Sequence, residues 1–580
     1  MREVGQFRRT CLLVAAIVCT MALVLSVRLQ STYGESIIMR PSPPNVLRLG
    51  ERIYREGILP SGEPMLAYVK GDLPVSGTAF SCESCHQRSG LGCLEGGVYT
   101  LPTNGAKLFQ PYQEFFKNIE QKYFPPAPRR PAYTDATLAE AIRSGTTPTG
   151  AALNDVMPRY LLEDEDMTIL LSYLRSLSAR FSPGVTNTTL RFATILAEDV
   201  PAEERDALLG PLEQYITLKN NQSIAYKTKS GARSRQMAEN MLTSKELATR
   251  SLTLSRWILK GPPETWRAQL EEYYRNEPVF AFLGGISRNE WLPMHQFSEE
   301  NHIPCLLPLS DFPVISENDW YTLYPSKGYY QEGEAAARYL NSRNDLTMER
   351  PILQIVRDSK EGKALSTGFE NTWRDIGRPA PIKVSINAGE HITTTFLNQL
   401  LEREKPAAIL LWDGHETLPV LEMAAGIKDK PEIIIVSSRY LGERFRAIPD
   451  IARHVTYITY PFAFAQKTIR TSMGSTTVPD DTKMSVNLAS VPVFEKTDRI
   501  TSMSKTITQL ATMSLMDMGG NYYSDNFFDV MSMLADQPSA VFGRLSFGPG
   551  QRYASKGCYI VQLTKGPNPE MVRKSDWVIH

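Results

Sequence analysis

Residues 407–436 read A-A-I-L-L-W-D-G-H-E-T-L-P-V-L-E-M-A-A-G-I-K-D-K-P-E-I-I-I-V. Apolar runs at 407–412 and 432–436 bracket a stretch at 416–425 whose apolar positions recur with helical spacing. Neither run alternates with polar residues, as strands covered on both faces should not. Strand, helix, strand with a short return is the βαβ unit of a parallel sheet. Working outward, strands are expected at 190–197, 279–283, 304–307, 352–356 and 383–386. Helices are expected at 201–218, 290–300, 329–341, 363–376 and 393–404. From residue 188 onward the fold class is therefore α/β. Two sheets fit better than one. Thr322-Leu323-Tyr324-Pro325 and Tyr457-Ile458-Thr459-Tyr460-Pro461 each look like an extended crossing segment ended by proline. They bracket one block, 326–460 (lobe 2), which leaves 188–325 and 461–580 as lobe 1.

Upstream of a break at 180–187 the texture differs. Cys82-Glu83-Ser84-Cys85-His86 places two thiols three positions apart with an imidazole next to the second. Thiols so spaced can add to the two vinyl groups of one haem, and the histidine then faces the iron. A redox disulfide or half a zinc site would use the same pair, but a thioredoxin-like pair wants a βαβ setting and zinc wants a second ligand pair. Only Cys93 follows nearby, and the next histidine is His295. The expectation is one covalent haem c, with Cys82 and Cys85 as attachment points and His86 as an iron ligand. Met157, stiffened by Pro158, is the candidate second axial ligand, and Met65 and Met167 are the spares. An amphipathic helix at 47–54 ends at Gly57, a helix at 133–144 ends at Gly145, and another follows Leu162 with acidic residues in its first turn. Aromatics between 101 and 131, among them Phe109, Tyr112, Phe115, Phe116, Tyr123 and Phe124, read as a satellite core under a long loop, with a haem-edge shield or a partner surface as the alternatives. Arg88 and Arg159 are candidates for haem propionates or for ordinary surface ion pairs.

The N-terminus bears on the compartment. Arg2, Arg8 and Arg9 precede an unbroken apolar run over 11–27. That is the pattern of a secretory signal or a short membrane anchor, so 1–34 is set apart and the remainder is expected in the periplasm, either soluble or tethered to the inner membrane. The 63 basic and 63 acidic residues balance, which gives no reason to expect nucleic acid as a partner.

A helix, C-x-x-C-H, a wandering loop, Met-Pro and a closing helix together resemble the class I cytochrome c family over 44–180. The α/β part, 188–580, resembles the type 1 periplasmic binding proteins of the branched-chain amino acid receptor kind. The matching pieces are Phe282-Leu283-Gly284-Gly285-Ile286-Ser287, Pro308-Leu309-Ser310-Asp311, Tyr329-Tyr330-Gln331-Glu332-Gly333 and Leu411-Trp412-Asp413-Gly414. This second resemblance implies a solute in the cleft between lobes, contacted by Ser287 and Ser310 from the first lobe and by Tyr329, Trp412 and Asp413 from the second. Where amino-acid binders offer a carboxylate near the 432–436 strand, this chain has Ser437-Ser438-Arg439, so Arg439 would suit an anionic ligand. Glu361-Gly362 and Glu198-Asp199-Val200-Pro201 are further departures from that family's pattern.

No P-loop, G-x-S-x-G or H-E-x-x-H is present, and the histidines at 295, 302, 391, 415 and 454 lack metal-ligand spacing. No catalysis is expected. Cys305 and Cys558 could bridge within the first lobe. The expected function is a periplasmic monohaem cytochrome that passes single electrons to or from a redox partner protein, with the binding-protein-like module sensing a ligand or docking that partner. Two alternatives stand beside it: a solute-binding subunit of a transport or signalling system with an accessory redox-sensing haem, and the electron-accepting subunit of a separate dehydrogenase.

Overall fold

The computed structural model describes residues 43–579 except 70–72, 96–97, 114–128, 229–246, 248, 289, 345–349, 415, 428–430, 472–473, 481 and 492–495. The 1–34 segment, His415, and the aromatics Phe115, Phe116, Tyr123 and Phe124 lie outside the described residues. No described helix is long and apolar enough to cross a membrane.

The chain forms two compact units. The smaller contains the described residues up to Ser81 together with Asp135–Leu174. Its Pro44–Glu56 helix ends where Gly57 turns left-handed, as the sequence suggested. The Asp164–Ser176 helix packs against it so closely that a Cβ on Gly50 would lie 2.5 Å from the Tyr173 Cβ. Between these helices, strands Leu66–Val69, Leu73–Ser76 and Arg159–Leu161 form a small antiparallel sheet.

The larger unit holds 82–134 and everything from Arg175 onward. Its first sheet is made of β1 (Thr189–Ala197), β2 (Ser251–Leu259), β3 (Ala281–Leu283), β4 (Cys305–Leu306) and β5 (Thr322–Leu323), all parallel, in the order β5-β4-β3-β1-β2. Helix α1 (Ala202–Thr228) follows β1, α2 (Trp266–Asn276) follows β2, and α3 (Leu292–Asn301) follows β3. The chain then crosses at Tyr324-Pro325 into a second α/β layer. Here α4 (Tyr329–Ser342), β6 (Ile352–Arg357), α5 (Lys360–Asp375), β7 (Ile382–Ile386), α6 (Thr394–Glu404), β8 (Ala408–Trp412), α7 (Thr417–Gly426), β9 (Ile433–Ser437) and β10 (Thr456–Tyr460) alternate. Strands β7-β6-β8-β9-β10 are parallel neighbours.

The apolar runs at 407–412 and 432–436 account for this layer. Every residue of β8 and β9 is buried. Because side chains alternate across a strand, Ile409, Leu411, Ile434 and Val436 feed one core while Ala408, Leu410, Ile433 and Ile435 feed the other. Side-chain caps fix two helix starts: Ser359 accepts from the Gly362 amide, and Thr393 from the Phe396 amide. Helices α4 and α5 touch through glycines. A Cβ on Gly333 would lie 2.1 Å from the Leu365 carbonyl oxygen. Gly333→Ala is therefore expected to destabilise the fold by about 1–3 kcal/mol, as overpacking does, read as a lower urea midpoint. A loss below about 0.5 kcal/mol would show that the two helices separate freely.

The end of the chain divides differently from the expected 461–580 block. Strand β11 (Ser485–Asn487) belongs to the second sheet; α8 (Lys496–Asp517) and α9 (Ser524–Ser532) return to pack on the first; β12 (Gly557–Leu563) and β13 (Glu570–Arg573) rejoin the second. β12 pairs antiparallel with β10. The chain thus passes between lobes a third time, at 552–555, running beside 324–325: Tyr324 N–H donates to Arg552 O (2.8 Å) and Ser555 N–H to Pro325 O (2.8 Å). An apolar strand reports that it is buried but not in which sheet, so sequence could not divide this region. The same topology corrects the expected Cys305–Cys558 bridge. Both thiols are buried and unpaired, one in each sheet.

Candidate functional site

Two places gather chemistry, and both lie in the larger unit. The first is the cleft between the lobes, a cavity of about 330 Å³. Ser287 and Ser310 reach it from the ends of β3 and β4, where ligands sit in parallel α/β sheets. The left-handed Gly284 and Gly285 turn the chain after β3, and a Cβ on Gly285 would meet the Trp291 ring at 2.5 Å. Tyr329 enters from the first turn of α4, and Arg439 from the turn after β9. These four expected residues come together.

Trp412 and Asp413 do not, which corrects two expected contacts. Trp412 is fully buried in the second lobe's core and donates its indole N–H to Gln354 Oε1 (2.9 Å). Asp413 is 2% exposed, takes Arg357 through Nε (3.1 Å) and Nη2 (2.5 Å), and accepts the Glu416 amide (3.1 Å). Both belong to the strand end that the sequence pointed to, but one faces the core and the other holds a structural ion pair. His295 is likewise a satisfied core histidine, bonded to Asp319 Oδ2 (2.8 Å) and Tyr324 Oη (3.0 Å).

The cavity has residues that no strand-end motif announced: Arg288, Lys496, Arg499 and Met503, with Phe312, Phe462 and Phe542 as apolar wall. The charges sort themselves. Glu204 pairs with Arg288 (2.8 Å) and Lys496 (3.0 Å); burial pushes its carboxyl up, but those two cations outweigh that and hold it low. Arg439 keeps 12% of its side-chain exposure and donates to Asp311 Oδ1 (2.7 Å), with Glu332 at 3.6 Å. Its Nη2 is buried without a hydrogen-bond partner. Glu332 is fully buried beneath it and accepts from Thr459 Oγ1 (2.6 Å); burial raises its carboxyl to about 7, against the pull of Arg439 and Thr459. Arg499 has no hydrogen bond or ion pair among the described residues. Burial and the neighbouring Arg439 both push its guanidinium down from its ordinary value. The cavity thus holds one unpaired cation and one buried, half-satisfied one, beside aromatic walls.

The second place is the Cys82–His86 helix. Cys82 and Cys85 are unpaired, and burial lifts the Cys82 thiol to about 12. His86 Nδ1 lies 2.8 Å from the Leu101 carbonyl oxygen. A carbonyl only accepts, so Nδ1 carries the hydrogen and Nε2 keeps its lone pair. Burial also lowers this imidazole to about 4 and keeps it neutral. Among the described residues no three His, Cys, Asp or Glu side chains are grouped as metal ligands, so a zinc site lacks its further ligands. Two free thiols and an imidazole oriented through its other nitrogen fit covalent haem attachment. Met157 belongs to the smaller unit. There its backbone is fixed by its own N–H to Asn154 O (3.1 Å) and by Arg159 Nη1 donating to its carbonyl (2.5 Å).

No family model matches the chain, and no curated protein matches it either. Solved structures do resemble it. An ABC transporter substrate-binding protein from Sphaerobacter thermophilus is 13% identical, with 67% of this chain and 98% of that one covered and a TM-score of 0.43. A type 1 periplasmic binding protein from Bordetella pertussis is 12% identical over 66% and 100%, with a TM-score of 0.42. A solute-binding protein of an ABC transporter from R. palustris, in complex with 4-hydroxybenzoate, is 14% identical over 67% and 96%, with a TM-score of 0.40. Two parallel-sheet lobes with a cavity between them make up most of the described chain, so electron carriage as the main role is corrected, and the expected redox partner gains no support.

Proposed function

We propose that this chain is a periplasmic solute-binding protein whose cleft takes a small anion with an apolar or aromatic body, and that it carries an accessory haem c. The observation that carries the reading is the unpaired Arg499 guanidinium beside the buried, partnerless Nη2 of Arg439. A half-buried guanidinium without a counterion and a buried guanidinium nitrogen without an acceptor both favour an incoming anion, and a carboxylate is the natural complement to guanidinium. Phe312, Tyr329, Phe462 and Phe542 supply the apolar wall. An amino acid fits less well, since its ammonium would meet two guanidiniums.

For the haem, Cys82 and Cys85 would each add an S–H across one vinyl C=C, the sulfur and the hydrogen going to its two carbons, so no outside oxidant is needed. His86 Nε2 would donate to iron. Haem, when bound, supplies a one-electron couple.

Thermal unfolding of the full chain against benzoate, 4-hydroxybenzoate, hexanoate and leucine tests the cleft. A midpoint that rises with carboxylate concentration, as linkage requires, and does not rise with leucine is the expected result. No rise with any carboxylate would sink the solute reading. The haem is tested separately by co-expression with haem-attachment machinery. A haem that survives denaturation in the full chain, and is lost in Cys82→Ala/Cys85→Ala, is expected; denaturation that strips the haem from the full chain refutes covalent attachment.

A further inference from the structure

The first lobe grips the residues that directly follow the Cys82–His86 helix. Asp529 on α9, 4% exposed, accepts the backbone N–H of Ser89 (2.8 Å) and of Arg88 (3.3 Å), directly after the Cys82–His86 helix. Ser89 in turn gives its carbonyl to Ser178 Oγ (2.8 Å). The Arg88 side chain approaches Asp525 on the same helix (3.4 Å) and Glu83 within the motif (3.8 Å), and lies 4.5 Å over the Trp320 ring. Arg552 stacks on that same ring at 3.9 Å.

Trp320 and Arg552 are not bystanders. Trp320 stands two residues before β5, with its backbone N–H donating to Glu299 Oε2 (2.8 Å). Arg552 begins the third interlobe crossing and gives its carbonyl to Tyr324. The two crossings they start run side by side into the cleft wall at Pro325 and Ser326. These are segments that must adjust when the lobes move. A half-buried tryptophan ring that carries two guanidiniums, one of them with its Nε and Nη2 partnerless, is a contact with few alternative arrangements.

We propose that the Arg88–Trp320–Arg552 stack, clamped by Asp529, couples the Cys82–His86 segment to the interlobe crossings, so that filling the cleft alters the attachment segment and the state of that segment alters solute affinity by the same factor. The inference rests on the cleft being a solute site, but not on haem being bound.

The test therefore uses the full chain without haem, with benzoate as the probe. The rates at which iodoacetamide alkylates Cys82 and Cys85 are followed residue by residue by mass spectrometry, with Cys93 as a local control. Saturating benzoate is expected to change the Cys82 and Cys85 rates at least threefold. Trp320→Leu is expected to abolish that change while benzoate still raises the thermal midpoint; Asp529→Asn is the second, milder variant and should weaken it. Benzoate that raises the midpoint yet leaves both rates unchanged overturns the coupling and spares the solute reading. Benzoate that raises no midpoint overturns both. A rate change that persists in Trp320→Leu and Asp529→Asn overturns the assigned route.

Discussion

Arg357→Met should cost the second lobe about 3–5 kcal/mol, the largest stability effect expected of any single change described above. Arg357 ends β6 and gives Nε and Nη2 to Asp413, while Nη1 donates to the carbonyls of Asn387 (2.6 Å) and Glu390 (2.7 Å). The side chains keep 10% and 1% of their exposure, so solvent screens the pair little. Methionine fills similar volume but leaves the Asp413 carboxylate buried without its cation, and leaves two carbonyls bare. Urea unfolding of Arg357→Met, Asp413→Asn and the double variant measures the coupling. Asp413→Asn keeps an oxygen for the Glu416 amide, so the double variant should recover part of the loss. A single-variant cost below about 1 kcal/mol would mean that water reaches the pair and the burial argument fails.

Arg439→Ala should weaken carboxylate binding by about 2–5 kcal/mol, some thirtyfold to several-thousandfold, measured by calorimetric titration of benzoate. The same group predicts a pH dependence. Glu332 has its carboxyl raised from 4.5 to about 7 by burial. Above pH 7 it is ionised and competes for Arg439; below, it is neutral and leaves the guanidinium to the solute. The groups around it are Arg439, Tyr329, Asp311 and the Cys558 thiol, and the cation is permanently charged across this range. Benzoate affinity should therefore rise as pH falls from 8 to 6, and Glu332→Gln should flatten that profile. Stability follows the same sign. A carboxyl raised on folding favours the native state fully only below its ordinary 4.5, and that contribution is lost as pH climbs through 7. Glu332→Gln should thus stabilise the chain at pH 8 relative to pH 5. A flat affinity profile in the unaltered protein would refute the Glu332–Arg439 competition.

Much of this was legible in the chain. The uninterrupted apolar runs at 407–412 and 432–436 could only be strands covered on both faces, and the alternation with helices of ten or more residues required parallel sheets. Pro325 marked the first crossing, because proline ends an extended segment by withholding a donor; Pro461 did not mark the second, since 485–487 still belongs to the second sheet. Ser287, Ser310, Tyr329 and Arg439, which the resemblance to binding proteins placed in a cleft, line one cavity, and Cys82, Cys85 and His86 lie on one short helix.

What the sequence could not decide depended on contacts far apart in the chain. Which sheet β12 joins is set by its hydrogen bonds to β10, a hundred residues upstream, so the third crossing and the fate of Cys558 were hidden. Arg499 looks like any arginine on an amphipathic helix until α8 returns to the first lobe and carries it into the cleft. Trp412 and Asp413 stand at a strand end, as ligand residues do, and only the direction of each side chain turned one into core and the other into half of an ion pair. Local pattern fixes backbone form because propensity and burial act over a few residues. Charge pairing, sheet membership and the grip of Asp529 on the Arg88 and Ser89 amides arise only once the chain has folded back on itself.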